Sequence, residues 1–390
     1  MVASRFQPPD RLLLGPGPSQ VHSRVLAAMA EPLVGHLDPA FIELMEETKR
    51  LLRQVFQTDN VLTFPISGTG SAGMEACFVN LLEPGDEAVV AMNGEFGRRM
   101  ADIVERCGAK PIVVEVPWGQ PVSPDAVRSG LSRCKRPKLV AVVHAETSTG
   151  AWTSVEEIAP VVRESDSLFV VDAVTSLGGC PVKVDEWQID ACYSGTQKCL
   201  SCPPGLSPVT FGPRAIEAIR KRRSKVASWY LDLTMIERYW GDERVYHHTA
   251  PISMNYALAE ALRIVVEEGL EARFARHRRH HEMLVAGIEA LGLRMLVEAP
   301  RRLWMLNSVC LPDGLDEAAL RRRLLLEHGI EIGGGLGPLK GKIWRIGLMG
   351  ESSRRRNVLA LLAALEDVFR SAGRDVSAGS AVAAAQARAR

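Results

Sequence analysis

Lys198 ends the stretch Asp190-Ala191-Cys192-Tyr193-Ser194-Gly195-Thr196-Gln197-Lys198 and is followed by Cys199-Leu200-Ser201-Cys202-Pro203-Pro204-Gly205. Most lysines are solvated surface residues. This one follows a short apolar run, is hemmed by small residues, and has no acidic residue beside it. Burial without a counter-charge lowers an ammonium pKa, which suits a lysine to Schiff-base chemistry with a carbonyl compound. Asp172 ends the strongly apolar run Leu168–Val171. A carboxylate there either caps a turn or faces a cation, because burying it unpaired is costly. Arg345 lies between Trp344 and Ile346. Its planar fork matches a carboxylate, and such apolar flanks are unusual for a surface arginine. A structural ion pair is the plainer alternative.

The run Ser67-Gly68-Thr69-Gly70-Ser71-Ala72-Gly73 falls between an expected strand and an expected helix. Small residues let the backbone approach an anion, and free N–H groups at a helix start point toward it. Gly68, Gly70 and Gly73 also satisfy G-x-G-x-x-G, so the loop alone suits either pyridoxal 5′-phosphate (PLP) or NAD. A dinucleotide would want an acidic residue ending the next strand. Glu95 is near that place but follows the turn-like pair Asn93-Gly94.

These residues need strands to carry them. Continuous apolar runs occur at Val61–Pro65, Ala88–Met92, Pro111–Val116, Leu139–His144, Leu168–Val171, Ala191–Ser194 and Pro208–Phe211. Runs without alternation belong to strands covered on both faces. Helical patterns separate most of them: Gly73–Leu82, Phe96–Cys107, Pro124–Ser132 and Val155–Glu164. The expected fold is α/β, a mostly parallel seven-stranded sheet sandwiched by helices. Ligands of such sheets sit beyond the carboxyl ends of the strands, where Ser67–Ser71, Asn93–Phe96, His144–Gly150, Asp172–Val174 and Ser194–Lys198 fall. Two long helices, Asn255–Glu268 and Leu270–Leu291, lead into a smaller α+β region with a helix at Ser353–Ser371. The expected division is an N-terminal arm (1–20), a large domain (21–254), a small domain (255–371) and a disordered Ala/Gly/Arg-rich tail (372–390).

The chain has 390 residues, with 47 Lys plus Arg against 46 Asp plus Glu. A net charge of +1 gives no global pull toward nucleic acid or an anionic membrane. The opening MVASRFQPPDRLLLGPGPS lacks a signal peptide's apolar run, and no stretch is long enough to span a bilayer. Eight cysteines in a chain this long read as reduced thiols, so a cytoplasmic protein is expected. Cys199 and Cys202 form a lone C-x-x-C with no second pair, so no metal is expected. The basic run Arg273–His281 reads as a solvated helix face.

The chain resembles the class V, fold type I, PLP-dependent aminotransferases, and within them the alanine–glyoxylate and serine–pyruvate aminotransferase family. The matching segments are LLLGPGPS (Leu12–Ser19), SGTGSAGMEA (Ser67–Ala76), NGEFG (Asn93–Gly97), AETSTG (Ala145–Gly150), VVDAVTSLGG (Val170–Gly179), YSGTQK (Tyr193–Lys198), PPG (Pro203–Gly205), YHHTAP (Tyr246–Pro251) and Gly333–Gly350. They span nearly the whole chain in the family's order and place NAD far below PLP. The resemblance implies that Lys198 holds PLP as a Schiff base and that Asp172 pairs with the pyridine nitrogen. It implies phosphate contacts from Thr69, Gly70, Ser71 and Gln197. Phe96 would stack on the ring, Val174 would pack on its other face, and Thr147 would lie near its ring oxygen. Tyr246 and Thr249 would reach the phosphate of a neighbouring subunit, making a homodimer with shared sites. Arg345 would grip the substrate carboxylate, with Gly17 also at the substrate.

The implied reaction is ping-pong transfer from a small amino acid, alanine first, to a 2-oxo acid, glyoxylate first. Serine and ureidoglycine are alternative donors. The animal members differ at Ser71 (His), at Phe96 (Trp) and around Gly35-His36-Leu37-Asp38, which bears on donor identity more than on reaction type. A cysteine desulfurase would need a mobile C-terminal cysteine, and Cys310 sits in an apolar strand pattern. A non-catalytic PLP-binding protein would have little use for Lys198, Asp172 and Arg345 together.

Overall fold

The computed structural model describes residues 6–388, so residues 1–5 of the N-terminal arm and 389–390 of the tail lie outside it. All seven expected strands form: β1 Leu62–Ser67, β2 Glu87–Met92, β3 Lys110–Glu115, β4 Pro137–Val143, β5 Leu168–Asp172, β6 Ala191–Tyr193 and β7 Leu206–Phe211. They make one sheet in the order β1-β7-β6-β5-β4-β2-β3. Six run parallel to one another, and β7 runs antiparallel to both neighbours. Every residue of β5 and β7 is buried, which explains their unbroken apolar sequences. Helices cover both faces. Phe78 and Met100, from helices Gly70–Leu81 and Glu95–Arg106, pack on one side. Val127, Ile158 and Leu258, from helices Pro124–Leu131, Val155–Glu164 and Ile252–Glu268, pack on the other.

A second, antiparallel sheet joins Arg294–Met295, Leu306–Cys310, Ile343–Gly347 and Gly333–Gly334, in that spatial order. Its core contains Trp344 and residues of helices Leu270–Ala290, Glu317–Glu327 and Arg355–Ser371. Leu12–Leu13 pairs with Ile330–Glu331, so the chain's beginning is tied to this late segment.

Three expectations need correction. The first helix after β1 starts at Gly70, not Gly73. A Cβ on Gly73 would collide with Ser207 on β7, so this glycine permits close helix–sheet packing rather than belonging to a loop. The tail is not disordered throughout, because Ser380–Arg388 is a helix. Ala381 and Ala385, four apart, are fully buried in the second core, and both oxygens of the Glu366 carboxylate accept N–H groups at the helix start, from Gly379 and Ala381, each at 2.7 Å.

The basic run is a solvated face only in part, at the exposed Arg278 and Arg279. Arg273, His277, His280 and His281 are all buried. Burial holds His280 and His281 at about 4, and burial with the Arg273 charge holds His277 well below its usual range. Burial alone takes His144 to about 3. A histidine whose folded pKa is depressed adds stability above its unfolded pKa of about 6.5 and loses it as pH falls toward the folded value. As pH falls from 7 to 5 each of these buried rings costs stability, because the unfolded chain takes up a proton there and the folded one does not, while the raised Asp172 carboxyl described below regains part of the loss. The melting temperature is therefore expected to drop steeply from pH 7 to pH 5. A flat or rising profile in thermal melts would contradict these buried neutral rings.

No helix among the described residues is long and apolar enough to cross a membrane. All eight cysteines are unpaired thiols.

Candidate active site

β5 and β6 are parallel neighbours with Asp172 opposite Tyr193. Asp172 is buried, and its Oδ2 accepts the Tyr193 hydroxyl at 2.9 Å while its Oδ1 accepts the Val174 N–H at 2.8 Å. Burial pushes its carboxyl up to about 7, against the pull of those two hydrogen bonds. The neighbouring strand β6 thus supplies the hydroxyl that orients the Asp172 carboxylate. Tyr193 was not anticipated, although it stands in the YSGTQK motif that contains Lys198.

Lys198 follows β6 and is buried, the only buried lysine among the described residues. Desolvation, then the charge of Arg345, lowers its ammonium to about 8. Its Nζ donates to the Pro16 carbonyl. A Cβ on Gly17 would stand 2.8 Å from that nitrogen, so the missing side chain makes room for the lysine. The backbone on either side is pinned: Ser19 N–H donates to Gln197 O at 2.9 Å, and the Ser19 hydroxyl donates to Lys198 O at 2.8 Å.

The anion-binding expectation rests on the start of the Gly70–Leu81 helix. Thr69 is its N-cap and makes no side-chain capping bond. Thr69 and Ser71 are exposed, and Gly70 is buried close to Val174 and Gly195. Gln197 is nearby through Gly195, whose added Cβ would lie 2.9 Å from Gln197 Oε1. That oxygen is buried with no hydrogen-bond partner. Gly70, Val174 and Gln197 therefore lie beside one another, with Gly195 between them.

Arg345 is buried on the Ile343–Gly347 strand of the second sheet. Its Nε donates to Gly334 O at 2.7 Å and its Nη1 to Thr147 O at 3.2 Å. No carboxylate pairs with it, and its Nη2 has no hydrogen-bond acceptor among the described residues. Among the described residues Arg345 makes no structural ion pair. Thr147 faces Thr175, hydroxyl to hydroxyl, at 2.9 Å.

Glu146 was missed. It is fully buried, and desolvation raises its carboxyl. Oε1 accepts both the Ser148 N–H at 3.0 Å and hydroxyl at 2.6 Å, and Oε2 accepts the Phe96 N–H at 3.2 Å. The Glu95–Arg106 helix has Gly94 as its N-cap and no capping side chain of its own, so Glu146 performs that service from another loop and fixes Phe96. The Arg99 guanidinium lies 4.9 Å over the Phe96 ring. Nothing in AETSTG announces that its Glu is buried, because glutamate in a loop is usually solvated.

Tyr246 and Thr249 stand apart from this group. Their hydroxyls are 3.5 Å from each other, Tyr246 is 57% exposed, and its ring lies 5.1 Å from His36. His248 between them reaches back to the Ser67 hydroxyl at 2.7 Å. Cys310 is buried inside the Leu306–Cys310 strand with its thiol pKa raised by burial, which removes the mobile cysteine a desulfurase needs.

A buried lysine poised near neutrality, a buried carboxylate, an unpaired buried arginine and an uncapped helix start can together hold an anionic carbonyl compound and move protons on a carboxylate substrate. Known proteins are similar to this chain in sequence and in fold. Residues 11–339 match the family model of the class-V aminotransferases. The solved ureidoglycine–glyoxylate aminotransferase of Bacillus subtilis superimposes with a TM-score of 0.96 at 44% identity, covering 99% of each chain. The solved alanine–glyoxylate aminotransferase of a Nostoc species gives 0.93 at 50% identity, covering 95% of this chain and 98% of that one. The alanine–glyoxylate aminotransferase of Drosophila melanogaster is 38% identical over 93% of each chain. Agreement in sequence and in fold over nearly the full length places this chain in the class-V aminotransferase family, and the reaction it catalyses is amino-group transfer.

Proposed function

We propose that the protein uses PLP, held by Lys198, to transfer an amino group from L-alanine to glyoxylate. The observation that carries this reading is Lys198 itself: buried, lowered to about 8, and set among Asp172 and Arg345. The surrounding residues fit the group. The Gly70 helix start lacks a capping side chain, and Gln197 carries a buried polar atom without a partner, so an amide turned to present its N–H₂ would meet a phosphate oxygen. Thr69, Gly70, Ser71 and Gln197 would bind the phosphate, Asp172 the pyridine nitrogen, and Phe96, Val174 and Thr147 the ring. When bound, PLP supplies an aldehyde for amines and a protonated ring that withdraws electrons from the substrate Cα.

The chain's own residues then have distinct tasks. Arg345 offers its free Nη2 edge to the substrate carboxylate, which fixes the Cα–H direction. Lys198 Nζ, depressed toward neutrality, takes the Cα proton and holds it for redelivery. Asp172, kept from rotating by Tyr193 and Val174, would hold a proton on the pyridine nitrogen. Gly17 leaves the space in which the lysine amine moves.

Glyoxylate as acceptor is supported by the names of both kinds of relative, and alanine as donor by the Nostoc and Drosophila proteins. (S)-Ureidoglycine is the second reading, favoured by the Bacillus relative. A homodimer is supported by the exposed aromatic group of Trp229, Tyr230 and Tyr246, where the neighbouring phosphate would meet Tyr246 and Thr249. The unpaired thiols suit a cytoplasmic setting.

The test is a half-reaction panel on protein that sediments as a dimer. The visible band of lysine-bound PLP is expected to bleach with L-alanine and return with glyoxylate. Bleaching by (S)-ureidoglycine alone selects the second donor. A protein that stays colourless with added PLP, or responds to no amino donor, rules out the whole reading.

A further inference from the structure

Arg273 is 3% exposed, in the first turn of the Leu270–Ala290 helix, and its guanidinium forks between two loops. Nε donates to Gly178 O at 2.9 Å, and Nη2 donates to Cys199 O at 2.6 Å. Gly178 lies six residues beyond Asp172, and Cys199 directly follows Lys198. The remaining edge, Nη1, pairs with Glu268 at 2.6 Å. Glu268 is also held by Arg276, whose own carbonyl contacts are to Gly350 and Ser353. The two loops that Arg273 spans touch one another: added Cβ atoms on Gly178 and Gly179 would meet Leu200 and Cys199 respectively.

We infer that Arg273 is a positioning residue for the Lys198 amine, acting through the peptide that follows the lysine. The inference rests on Lys198 being the PLP lysine. The amine's location depends on where the lysine Cα stands. Ser19 fixes the Lys198 carbonyl from the N-terminal side, and Arg273 fixes the next carbonyl along. Ser201, in a left-handed turn at φ 53°, closes the same loop by donating its N–H to Lys198 O at 3.1 Å. Without Arg273 that loop keeps its turn but loses its only charged anchor among the described residues, while the bond to Gly178 that links it to the Asp172 loop disappears as well. The two loops then keep the Cys199 thiol's bond to Thr175 O, at 3.2 Å, but lose their charged tie, which loosens the distance between the lysine amine and the Asp172 carboxylate.

The experiment compares holoprotein of wild type, Arg273→Met, Arg273→Lys and Arg276→Met. Arg276→Met is the control, since it breaks the Glu268 pair but touches neither Gly178 nor Cys199. The readouts are the pH midpoint of the lysine-bound PLP band, kcat and KM, and the melting temperature. Arg273→Met is expected to move the midpoint by about half a pH unit or more. It is expected to lower kcat about tenfold with KM changed by less than about twofold, because misplacement costs rate rather than ground-state binding. Arg273→Lys keeps the charge against Glu268, recovers part of kcat, and carries the test if the Met variant does not fold. Arg276→Met should keep the wild-type midpoint. Equal midpoints for Arg273 and Arg276 variants would reduce Arg273 to a structural anchor and overturn the inference. A wild type without any lysine-bound band overturns the PLP reading first, and so is distinguishable from failure of this inference alone.

Discussion

Lys198→Ala is expected to lower transamination by about 10⁴-fold, the combined loss of a covalent anchor and a proton carrier. The location of the effect is the reason for its size. Every other lysine among the described residues has access to water, where an ordinary ammonium is protonated at neutral pH and a poor nucleophile. Lys198 alone is desolvated and further disfavoured as a cation by Arg345. The fold should survive the change. Removing a buried ammonium abolishes a desolvation penalty, and the space vacated lies against Gly17 and the Pro16 carbonyl rather than in an apolar core. Borohydride treatment of wild type followed by peptide mass analysis should find the cofactor fixed on Lys198, and the variant should show no fixed cofactor. Attachment to another lysine, or turnover within about tenfold of wild type, would remove Lys198 from its role.

The strands were legible because burial on both faces leaves a continuous apolar run, and the residues that end those runs are conspicuous against it. Asp172 and Lys198 could be picked out for that reason. Direction was not legible: β7 is as apolar as its parallel neighbours, yet it runs against them. The Ser380–Arg388 helix was hidden because its buried positions are alanines, too small to mark an apolar stripe, and its stabilising partner, Glu366, is fourteen residues upstream of Ser380. The same limitation conceals buried polar residues whose partners come from distant segments. Arg273 and its histidine neighbours read as surface charge, because the carbonyls that receive Arg273 come from two loops far upstream. Glu146 reads as an ordinary loop acid until the uncapped Glu95–Arg106 helix is brought beside it. Tyr246 and Thr249 are a different case, since one chain contains only half of the contact proposed for them.

Asp172→Asn is the second large effect, and it separates chemistry from stability. The substitution keeps size and shape, and an amide can still accept one of the bonds from Tyr193 and Val174. What it removes is negative charge. Turnover is expected to fall about 10³-fold, because a neutral partner no longer holds a proton on the nitrogen it faces. Stability without cofactor should change in the opposite direction. The folded carboxyl sits at about 7, above its ordinary value of 3.8, because burial disfavours the anion. The folded state then binds more protons than the unfolded one between those values, so wild-type stability declines as pH rises from about 4 to 7 and stays low above. A shift of about three units corresponds to about 4 kcal/mol, a penalty the asparagine variant escapes. Cofactor-free Asp172→Asn should therefore melt above wild type at pH 8 and near it at pH 4.5. Added PLP should narrow or reverse the gap at pH 8, since only the carboxylate gains from an adjacent cation. Thermal melts with and without PLP at both pH values decide it. A variant that loses both activity and cofactor-free stability at pH 8 would mean Asp172 supports the fold rather than the reaction.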